Sequence, residues 1–210
     1  MTVAKNETAV KNAKEDSVPQ SSFFSMLCRM KYISRWGLMR NSYRESLAEH
    51  TLDVAILAHA LGVIGKKRLG KSYDPERAAL IAVYHDASEI ITGDMPTPVK
   101  YHDQTIMSAY KQVEKAANGT LLSLLPADLK EEYEPFFYRQ EEDRELWKLV
   151  KAADKLSALI KCVEEEKSGN TEFSRAKQAT MESLSTLKLP ELDIFMAECF
   201  DAFTRTLDEQ

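Results

Sequence analysis

The sequence of 210 residues predicts an all-α fold, arranged as a single helical bundle. Apolar residues recur at helical spacing in nearly every segment after Ser21, and helix-start motifs precede several of these segments. The alternating β-branched pattern of strands is scarce. We expect one domain over residues 21–210, because this length can bury a sizeable core. Residues 1–20 are polar and predict a disordered tail.

The first two helices follow from spacing and capping. Residues 22–33 place apolar side chains near one face, and Arg35-Trp36-Gly37 then breaks the pattern. Ser46 and Glu49 match a capping box, in which the cap hydroxyl and the glutamate three residues later satisfy the free amides. The helix they open is predicted to end at about Ile64.

The remaining helices are predicted in the same way. Residues 65–73 form a basic, glycine-bearing loop, after which Asp74 and Pro75 are a typical helix start. That helix is expected to run to about Ile91 with an inward stripe of Ala78, Ala82, His85 and Glu89. Two prolines and a glycine in residues 92–98 end it. Further helices are predicted at about 103–125, 127–138, 142–167, 171–186 and 190–207.

Composition narrows the class of protein and its partners. A net charge of −5 and a pI near 5.5 argue against broad affinity for polymeric nucleic acid or anionic membranes. Cys28, Cys162 and Cys199 are widely separated, which fits a reducing compartment better than a disulfide framework. No apolar run approaches the roughly 20 residues of a membrane helix, and the first 20 residues lack a signal-peptide core. We therefore expect a cytoplasmic protein.

Four metal-binding side chains occur in otherwise apolar helices. They are His50, the adjacent pair His85-Asp86, and Asp154. Burying such groups is costly unless they are paired or hold a metal. Two imidazoles and two carboxylates suit a divalent ion such as Mn, Co, Fe, Zn or Mg. The alternative is a hydrogen-bonded His–Asp cluster without metal, and spacing alone leaves both open.

These four residues and several nearby segments carry a specific resemblance. The segments are ISRWGLMRN at 33–41, EH at 49–50, YHDASE at 84–89, TGDMPTPVKY at 92–101 and CVEE at 162–165. In this order they resemble the HD-domain phosphohydrolases, and among these the bacterial 5′-deoxynucleotidases of the YfbR type. The resemblance covers about residues 21–205.

The resemblance implies an enzyme that hydrolyses deoxyribonucleoside 5′-monophosphates to deoxynucleoside and phosphate. It implies one divalent ion, Co, Mn or another of Mg, Zn, Fe and Cu, held by His50, His85, Asp86 and Asp154. It also implies a homodimer. Two rivals stay open: an HD phosphohydrolase acting on triphosphates or on cyclic or polyphosphate nucleotides, and a non-catalytic helical metal-binding signalling module.

Glu89 and Asp94 are the candidates for proton transfer. Glu89 lies one helical turn beyond His85 on the same face, so it can approach a bound water or the leaving oxygen. The alternative role is a carboxylate that orients His85. Asp94 follows in the next turn and is expected to share proton transfer or to bind a sugar hydroxyl, unless it serves only the turn.

Arg35, Trp36 and Thr97 are the candidates for substrate contacts. Arg35 offers a charged fork for phosphate. Trp36 offers a flat wall for the sugar, and by resemblance it helps select deoxy over ribo substrates; from the residues alone, a half-buried core tryptophan is the alternative. Thr97 offers a hydroxyl in a proline-stiffened loop, although such loops are often only structural.

Overall fold

The computed structural model describes residues 20–100 and 102–210, and these fold as helices joined by turns, which confirms the all-α prediction. The α-helices are α1 (Phe23–Leu27), α2 (Leu47–Arg68), α3 (Pro75–Tyr84), α4 (Glu89–Thr92), α5 (Thr97–Lys100), α6 (Gln104–Leu122), α7 (Ala127–Phe137), α8 (Arg144–Lys167), α9 (Ser174–Ser185) and α10 (Pro190–Glu198). Short 3₁₀ helices lie at Cys28–Tyr32, Thr171–Phe173, Phe200–Thr204 and Leu207–Glu209. Residues 1–19 lie outside the described residues, so the disordered tail stays a prediction.

Two groups of buried apolar side chains hold the helices together. The larger lies between α2, α3, α8, α9 and α10, and includes Val54, Leu61, Ile81, Leu149, Leu156 and Phe195. The smaller packs α1 and the start of α2 against α6 and α7, and includes Phe23, Leu47, Leu121, Leu122 and Phe137. Burying each such side chain contributes roughly 1.5–3 kcal/mol. Since α2, α3 and α8 share the larger group, they form a rigid base for polar side chains.

The helix α2 begins as predicted and ends later than predicted. Ser46 Oγ accepts a hydrogen bond from Glu49 N–H at 3.3 Å, and the Glu49 carboxylate accepts one from Ser46 N–H at 2.7 Å. Gly65 does not end the helix, which continues to Arg68. A Cβ at Gly65 would lie only 2.6 Å from the Tyr73 ring. Glycine is needed there for close packing, and the predicted boundary at Ile64 is wrong for that reason.

The third helix is not continuous to Ile91 as predicted. Asp74 caps it by accepting from Arg77 N–H at 2.9 Å, but α3 stops at Tyr84. Amide groups then bond to carbonyls three residues earlier, as in Glu89 N–H to Asp86 O at 3.0 Å, and α4 follows. This tightening resembles 3₁₀ geometry. It places His85 and Asp86 at a helix end, where both side chains can turn toward one point.

Later boundaries differ from the predictions mainly at helix ends. The segment predicted over 171–186 begins as the 3₁₀ helix Thr171–Phe173 before α9, and the segment predicted over 190–207 is α10 followed by 3₁₀ turns. Such ends are set by tertiary packing and fraying, which periodicity does not report.

One helix of the described residues, α2, is long and apolar enough to cross a membrane by length and composition alone. This corrects the expectation that no apolar run approaches that length. Nearly half of its most apolar window is buried against other helices, and it carries the fully buried His50. A helix in a protein core can meet the same criteria of length and composition, because a protein core and a membrane both favour apolar residues.

Candidate functional site

The four predicted metal ligands meet at one point between three helices. His50 comes from α2, His85 and Asp86 follow α3, and Asp154 comes from α8. One ligand atom from each residue lies within 4.8 Å of all the others. Nε2 of His50 lies 3.2 Å from Asp154 Oδ1 and 3.7 Å from Asp86 Oδ2. Nε2 of His85 lies 3.1 Å from Asp86 Oδ2.

Both imidazoles are held in the orientation that a metal ligand needs. His85 Nδ1 donates to the carbonyl of Ala82 at 2.6 Å, and His50 Nδ1 lies 3.1 Å from Ser157 Oγ. Each Nε2 is therefore turned toward the carboxylates. Among the described residues, 20–100 and 102–210, neither Nε2 finds a hydrogen-bond partner, although both atoms are buried. Buried polar atoms are normally satisfied. Two orphaned Nε2 atoms facing two carboxylates fit a divalent cation, with Ser157 and Ala82 fixing the imidazoles from behind.

The charges of the site keep the two carboxylates of this donor set ionised. Burial alone would lower the pKa of the His85 imidazole, but the adjacent Asp86 carboxylate raises it, to about 9. Burial would raise the pKa of Asp86, but His85 holds it well below its usual range. Burial acts on Asp154 in the same direction, and His50 lowers its pKa. Both carboxylates are therefore ionised at neutral pH and available as ligands.

Arg35 lies beside the ligand cluster and is held there by a buried carboxylate. Its Nε donates to Glu45 Oε2 at 3.1 Å, and one terminal nitrogen lies 3.9 Å from Asp86 Oδ2. Its side chain is 11% exposed. Burial lowers the pKa of Arg35, but Glu45 and Asp86 raise it above the ordinary value, so the guanidinium stays charged. A fixed cation beside a cation-binding cluster can hold an anion that bridges the two.

Trp36 adopts a strained backbone conformation next to this cation. Its φ of 58° lies in the left-handed region, which costs a bulky residue of the order of 1–3 kcal/mol. Its amide donates to Asp94 Oδ2 at 3.2 Å and its Nε1 to Glu45 Oε2 at 2.8 Å. The ring also packs against Phe173, with 5.2 Å between centroids. Several contacts thus hold the indole in one orientation, half-buried at the edge of the site.

Glu89 is a buried carboxyl with a free oxygen. It begins α4, is 5% exposed, and its Oε2 makes no hydrogen bond among residues 20–100 and 102–210. Burial raises the pKa of Glu89, and the carboxylates of Asp86 and Asp94 raise it further, to about 9. A carboxyl with this pKa is protonated at neutral pH and can act as a proton donor.

Asp94 and Thr97 lie in and after the turn that follows Glu89. Gly93 has a φ of 74°, which a residue with a side chain rarely adopts, and it turns the chain so that Asp94 reaches the Trp36 amide. Asp94 Oδ1 accepts no hydrogen bond from the described residues. Thr97 is exposed and is the first residue of α5, so it begins a short helix where a rigid loop was expected.

Three residues of this neighbourhood were not singled out from the sequence. Ser157 lies one turn after Asp154 on the same face, so helical spacing could have found it. Glu45, which binds both Arg35 and Trp36, is ten residues away from Arg35, and only the folded loop brings them together. Lys100 adds a cation whose charge lowers the pKa of Glu89, and it donates to Glu114 at 2.8 Å.

The sequence is similar to known proteins over nearly all of its described length. Residues 22–203 match the model of a family described as 5′-deoxynucleotidase YfbR-like. The chain is 45% identical over 190 residues to 5′-deoxynucleotidase VV1113 of Vibrio vulnificus (strain YJ016), covering 90% of this chain and 98% of that one. 5′-Deoxynucleotidase yfbR of Photorhabdus temperata is also 45% identical, over 90% of this chain and 96% of its own.

Solved structures share the fold. An HD-domain phosphohydrolase from Listeria innocua superposes with a TM-score of 0.76 at 22% identity, covering 87% of this chain and 88% of that one. The cyanophage S-2L HD phosphohydrolase DatZ, whose structure holds dA and one catalytic Zn²⁺ ion, superposes with a TM-score of 0.63 at 20% identity, covering 87% and 96%. At these identities the likeness shows the fold alone.

Proposed function

We propose that this chain, which belongs to the family of YfbR-like 5′-deoxynucleotidases, removes the 5′-phosphate from deoxyribonucleoside 5′-monophosphates and releases deoxynucleoside and inorganic phosphate. It is a phosphoric monoester hydrolase with the helical fold of the HD-domain phosphohydrolases. The observation that carries the proposal is the pair of orphaned Nε2 atoms of His50 and His85, which face two carboxylates beside a fixed arginine.

One divalent ion is the cofactor that these residues would hold, through His50, His85, Asp86 and Asp154. When bound, such an ion supplies a water of lowered pKa and polarises a phosphate oxygen. Imidazole and carboxylate ligands accept Co, Mn, Mg, Zn, Fe and Cu, so metal availability and catalytic competence decide between them. Zn²⁺ in DatZ supports a catalytic metal in this fold.

Arg35 is proposed to orient the phosphate. Its guanidinium is already ordered by Glu45 before any substrate arrives, so little side-chain entropy is lost on binding. Its terminal nitrogen, 3.9 Å from an Asp86 oxygen, points at the region where a phosphate would meet the ligand cluster. Positioning and charge stabilisation supply most of the catalysis in phosphoryl transfer.

Glu89 is proposed to donate the proton to the leaving 5′-oxygen. Its burial keeps it protonated at neutral pH, and its Oε2 has no competing partner in the part of the chain that the structure describes. Asp94 is the second candidate for proton transfer, and its free Oδ1 is also available to a sugar hydroxyl. One of its oxygens is already engaged by Trp36 N–H, so we favour Glu89 as the acid.

Trp36 and Thr97 are proposed to contact the nucleoside. The indole is held by Glu45 and Phe173, and the backbone amide of the same residue by Asp94. A rigid wall of this kind can exclude a 2′-hydroxyl by crowding it. Thr97 is exposed at the start of α5, where its hydroxyl can hydrogen-bond a ligand. Strain at a non-glycine residue such as Trp36 is typical of functional positions.

We also propose that the protein is a cytoplasmic homodimer that binds a small molecule and no polymeric nucleic acid. Cys28, Cys162 and Cys199 are all free thiols, which is consistent with a reducing compartment. Leu52 and Ile56, one turn apart on α2, are 61% and 58% exposed, which supports burial against a second copy. Light scattering of the purified chain tests the dimer.

The experiment that tests the function is a panel of phosphate-release assays. Deoxy- and ribonucleoside mono- and triphosphates are offered to the chelated protein, and then with Mn, Co, Mg, Zn, Fe or Cu added back. We expect phosphate release that depends on the metal ion and is faster from deoxynucleoside monophosphates than from the other nucleotides. Preferred release from triphosphates would indicate another HD phosphohydrolase activity. Loss of helical content on chelation, with no release from any nucleotide, would indicate a metal-stabilised module.

A further inference from the structure

The loop of residues 35–45, here called the 35–45 loop, carries Arg35 and Trp36, and backbone pairing closes it at its base. Arg35 N–H donates to the Glu45 carbonyl at 3.0 Å, beside the Ser34–Ser46 bridge. Within the loop, Met39 N–H donates to the Trp36 carbonyl at 2.9 Å. A loop this long needs other partners for its backbone, because buried or half-buried amides and carbonyls are costly when unpaired.

Three buried side chains supply partners in the middle of the loop, in addition to Asp94 at the Trp36 amide and Glu172 at the Arg40 amide. Ser42 N–H donates to Glu165 Oε2 at 2.9 Å, and Lys161 Nζ donates to the Tyr43 carbonyl at 2.9 Å. Asn170 Nδ2 donates to the Arg40 carbonyl at 2.8 Å. We call Lys161, Glu165 and Asn170 the clamp. Its members are 1%, 0% and 8% exposed.

The clamp is bonded within itself. Lys161 and Glu165 form an ion pair one turn apart on α8, and Asn170 Nδ2 donates to Glu165 Oε2 at 2.7 Å. A buried ion pair contributes little net stability, because desolvation of both charges offsets their attraction. What this pair provides is a set of fixed donors and acceptors aimed at the backbone of the 35–45 loop.

The clamp also adjoins the wall against which Trp36 rests. Phe173 is fully buried and its ring packs on the indole of Trp36. Lys161 Nζ lies 5.8 Å from the centre of the Phe173 ring. On α8, Asp154 and Ser157 occupy the same stripe as Lys161 and Glu165, at spacings of three, seven and eleven residues. One helix thus places the candidate metal ligand Asp154 and two of the three anchors of the loop, Lys161 and Glu165.

We propose that Lys161, Glu165 and Asn170 are positioning residues that hold the 35–45 loop in a preformed conformation and so determine the selectivity of the site for deoxy over ribo substrates. The selectivity part rests on the proposed function. None of the three touches the substrate. They act through Arg35 and Trp36. The left-handed backbone of Trp36 persists only while the surrounding contacts enforce it.

Trp36 itself provides a readout that is independent of activity. The chain has two tryptophans, so the substitution Trp147→Phe leaves Trp36 as the single indole fluorophore. In that background, Glu165→Gln removes the negative charge of the carboxylate to which Ser42, Lys161 and Asn170 all donate hydrogen bonds. Asn170→Ala is the milder second variant, used if Glu165→Gln does not fold. The matched control is Glu166→Gln, the next residue of α8, which pairs with Lys177 and not with the loop.

The expected result has three parts. Acrylamide quenching of Trp36 rises in the clamp variants and not in Glu166→Gln, while circular dichroism is unchanged. The dAMP-to-AMP ratio of kcat/KM falls by about tenfold, chiefly through KM for dAMP, because small misplacements of positioning groups are costly. The dissociation constant of the metal ion is unchanged.

Two outcomes would overturn the proposal. One is a folded clamp variant whose Trp36 quenching and dAMP-to-AMP ratio both equal those of Glu166→Gln. The other is a loss of metal affinity in step with the loss of activity, which would make the clamp a general support of α8. If the parent protein hydrolyses no deoxynucleotide, the proposed function fails, and the quenching comparison alone still decides whether the clamp holds the loop.

Discussion

Replacing Glu89 by glutamine separates proton donation from mere support of the site. The change keeps the shape of the side chain and replaces the acidic carboxyl with an amide, which cannot protonate a leaving oxygen. Glu89 Oε2 has no hydrogen-bond partner in the described part of the chain, so no native contact of that oxygen is broken. We therefore expect the variant to fold and to bind metal like the parent protein.

The expected loss of turnover in Glu89→Gln follows from the role of Glu89 as a general acid. A positioned general acid contributes about 10²–10⁴-fold, which is about 3–5 kcal/mol of transition-state stabilisation. Burial and two neighbouring carboxylates keep Glu89 protonated at neutral pH, so nearly all of that factor is available there. Turnover of dAMP by Glu89→Gln should fall by this factor, with little change in KM.

The assay compares two leaving groups in the same variant. A deoxynucleoside leaves as an alkoxide and needs a proton, whereas p-nitrophenol leaves readily as its anion. If Glu89 is the acid, Glu89→Gln loses dAMP hydrolysis and keeps most of its p-nitrophenyl phosphate hydrolysis. Since the protonated form is active, the alkaline decline of kcat/KM for dAMP should also disappear. Equal losses on both substrates would refute proton donation and assign Glu89 to orienting His85.

Further predictions concern the metal ion, the indole of Trp36 and the clamp. Chelation should abolish phosphate release while circular dichroism shows helical content largely retained; unfolding would contradict a catalytic role for the ion. Ser157→Ala should weaken metal binding about 10–100-fold in chelator competition, because His50 loses the group that orients it; unchanged affinity would remove Ser157 from the site. Trp36→Ala should raise AMP hydrolysis relative to dAMP, and an unchanged ratio would end the selectivity proposal. Burial raises the pKa of Glu165, but Lys161, Asn170 and Ser42 lower it, to about 2, so its stabilising contribution is present above the ordinary carboxyl pKa and lost as pH falls toward 2. In urea unfolding, the stability advantage of the parent over Glu165→Gln should therefore shrink between about pH 5 and pH 3, and a constant difference would contradict the assignment.

The sequence was sufficient to predict the helical class, and it singled out the four polar residues that we propose as metal ligands. Capping residues such as Ser46 and Asp74 act within four residues, so their helix starts were predicted correctly. His50, His85, Asp86 and Asp154 were recognisable as polar groups in apolar helices and do converge in space. Gly65 shows the limit of this approach. It looked like a helix end, but it allows the close approach of Tyr73, a contact between distant elements.

The support behind the ligands could not be predicted in the same way. Glu45 binds Arg35 and Trp36 through a loop whose path no periodicity specifies. The break after Tyr84 was also missed, since the apolar pattern continues unchanged through it. Lys161 and Glu165 have the four-residue spacing of an ion pair on a helix surface, and only tertiary packing buries them.

The shared stripe on α8 limits how this enzyme can change in evolution. Asp154 and Glu165 are eleven residues apart, or about 16 Å along the helix axis. An insertion of one residue between them would rotate everything beyond it by about 100°. It would thereby separate the proposed anchor of the 35–45 loop from the proposed metal ligand in a single step. We therefore expect the substrate range to change in evolution through substitution of individual loop side chains. Insertions or deletions within α8 are expected to be selected against.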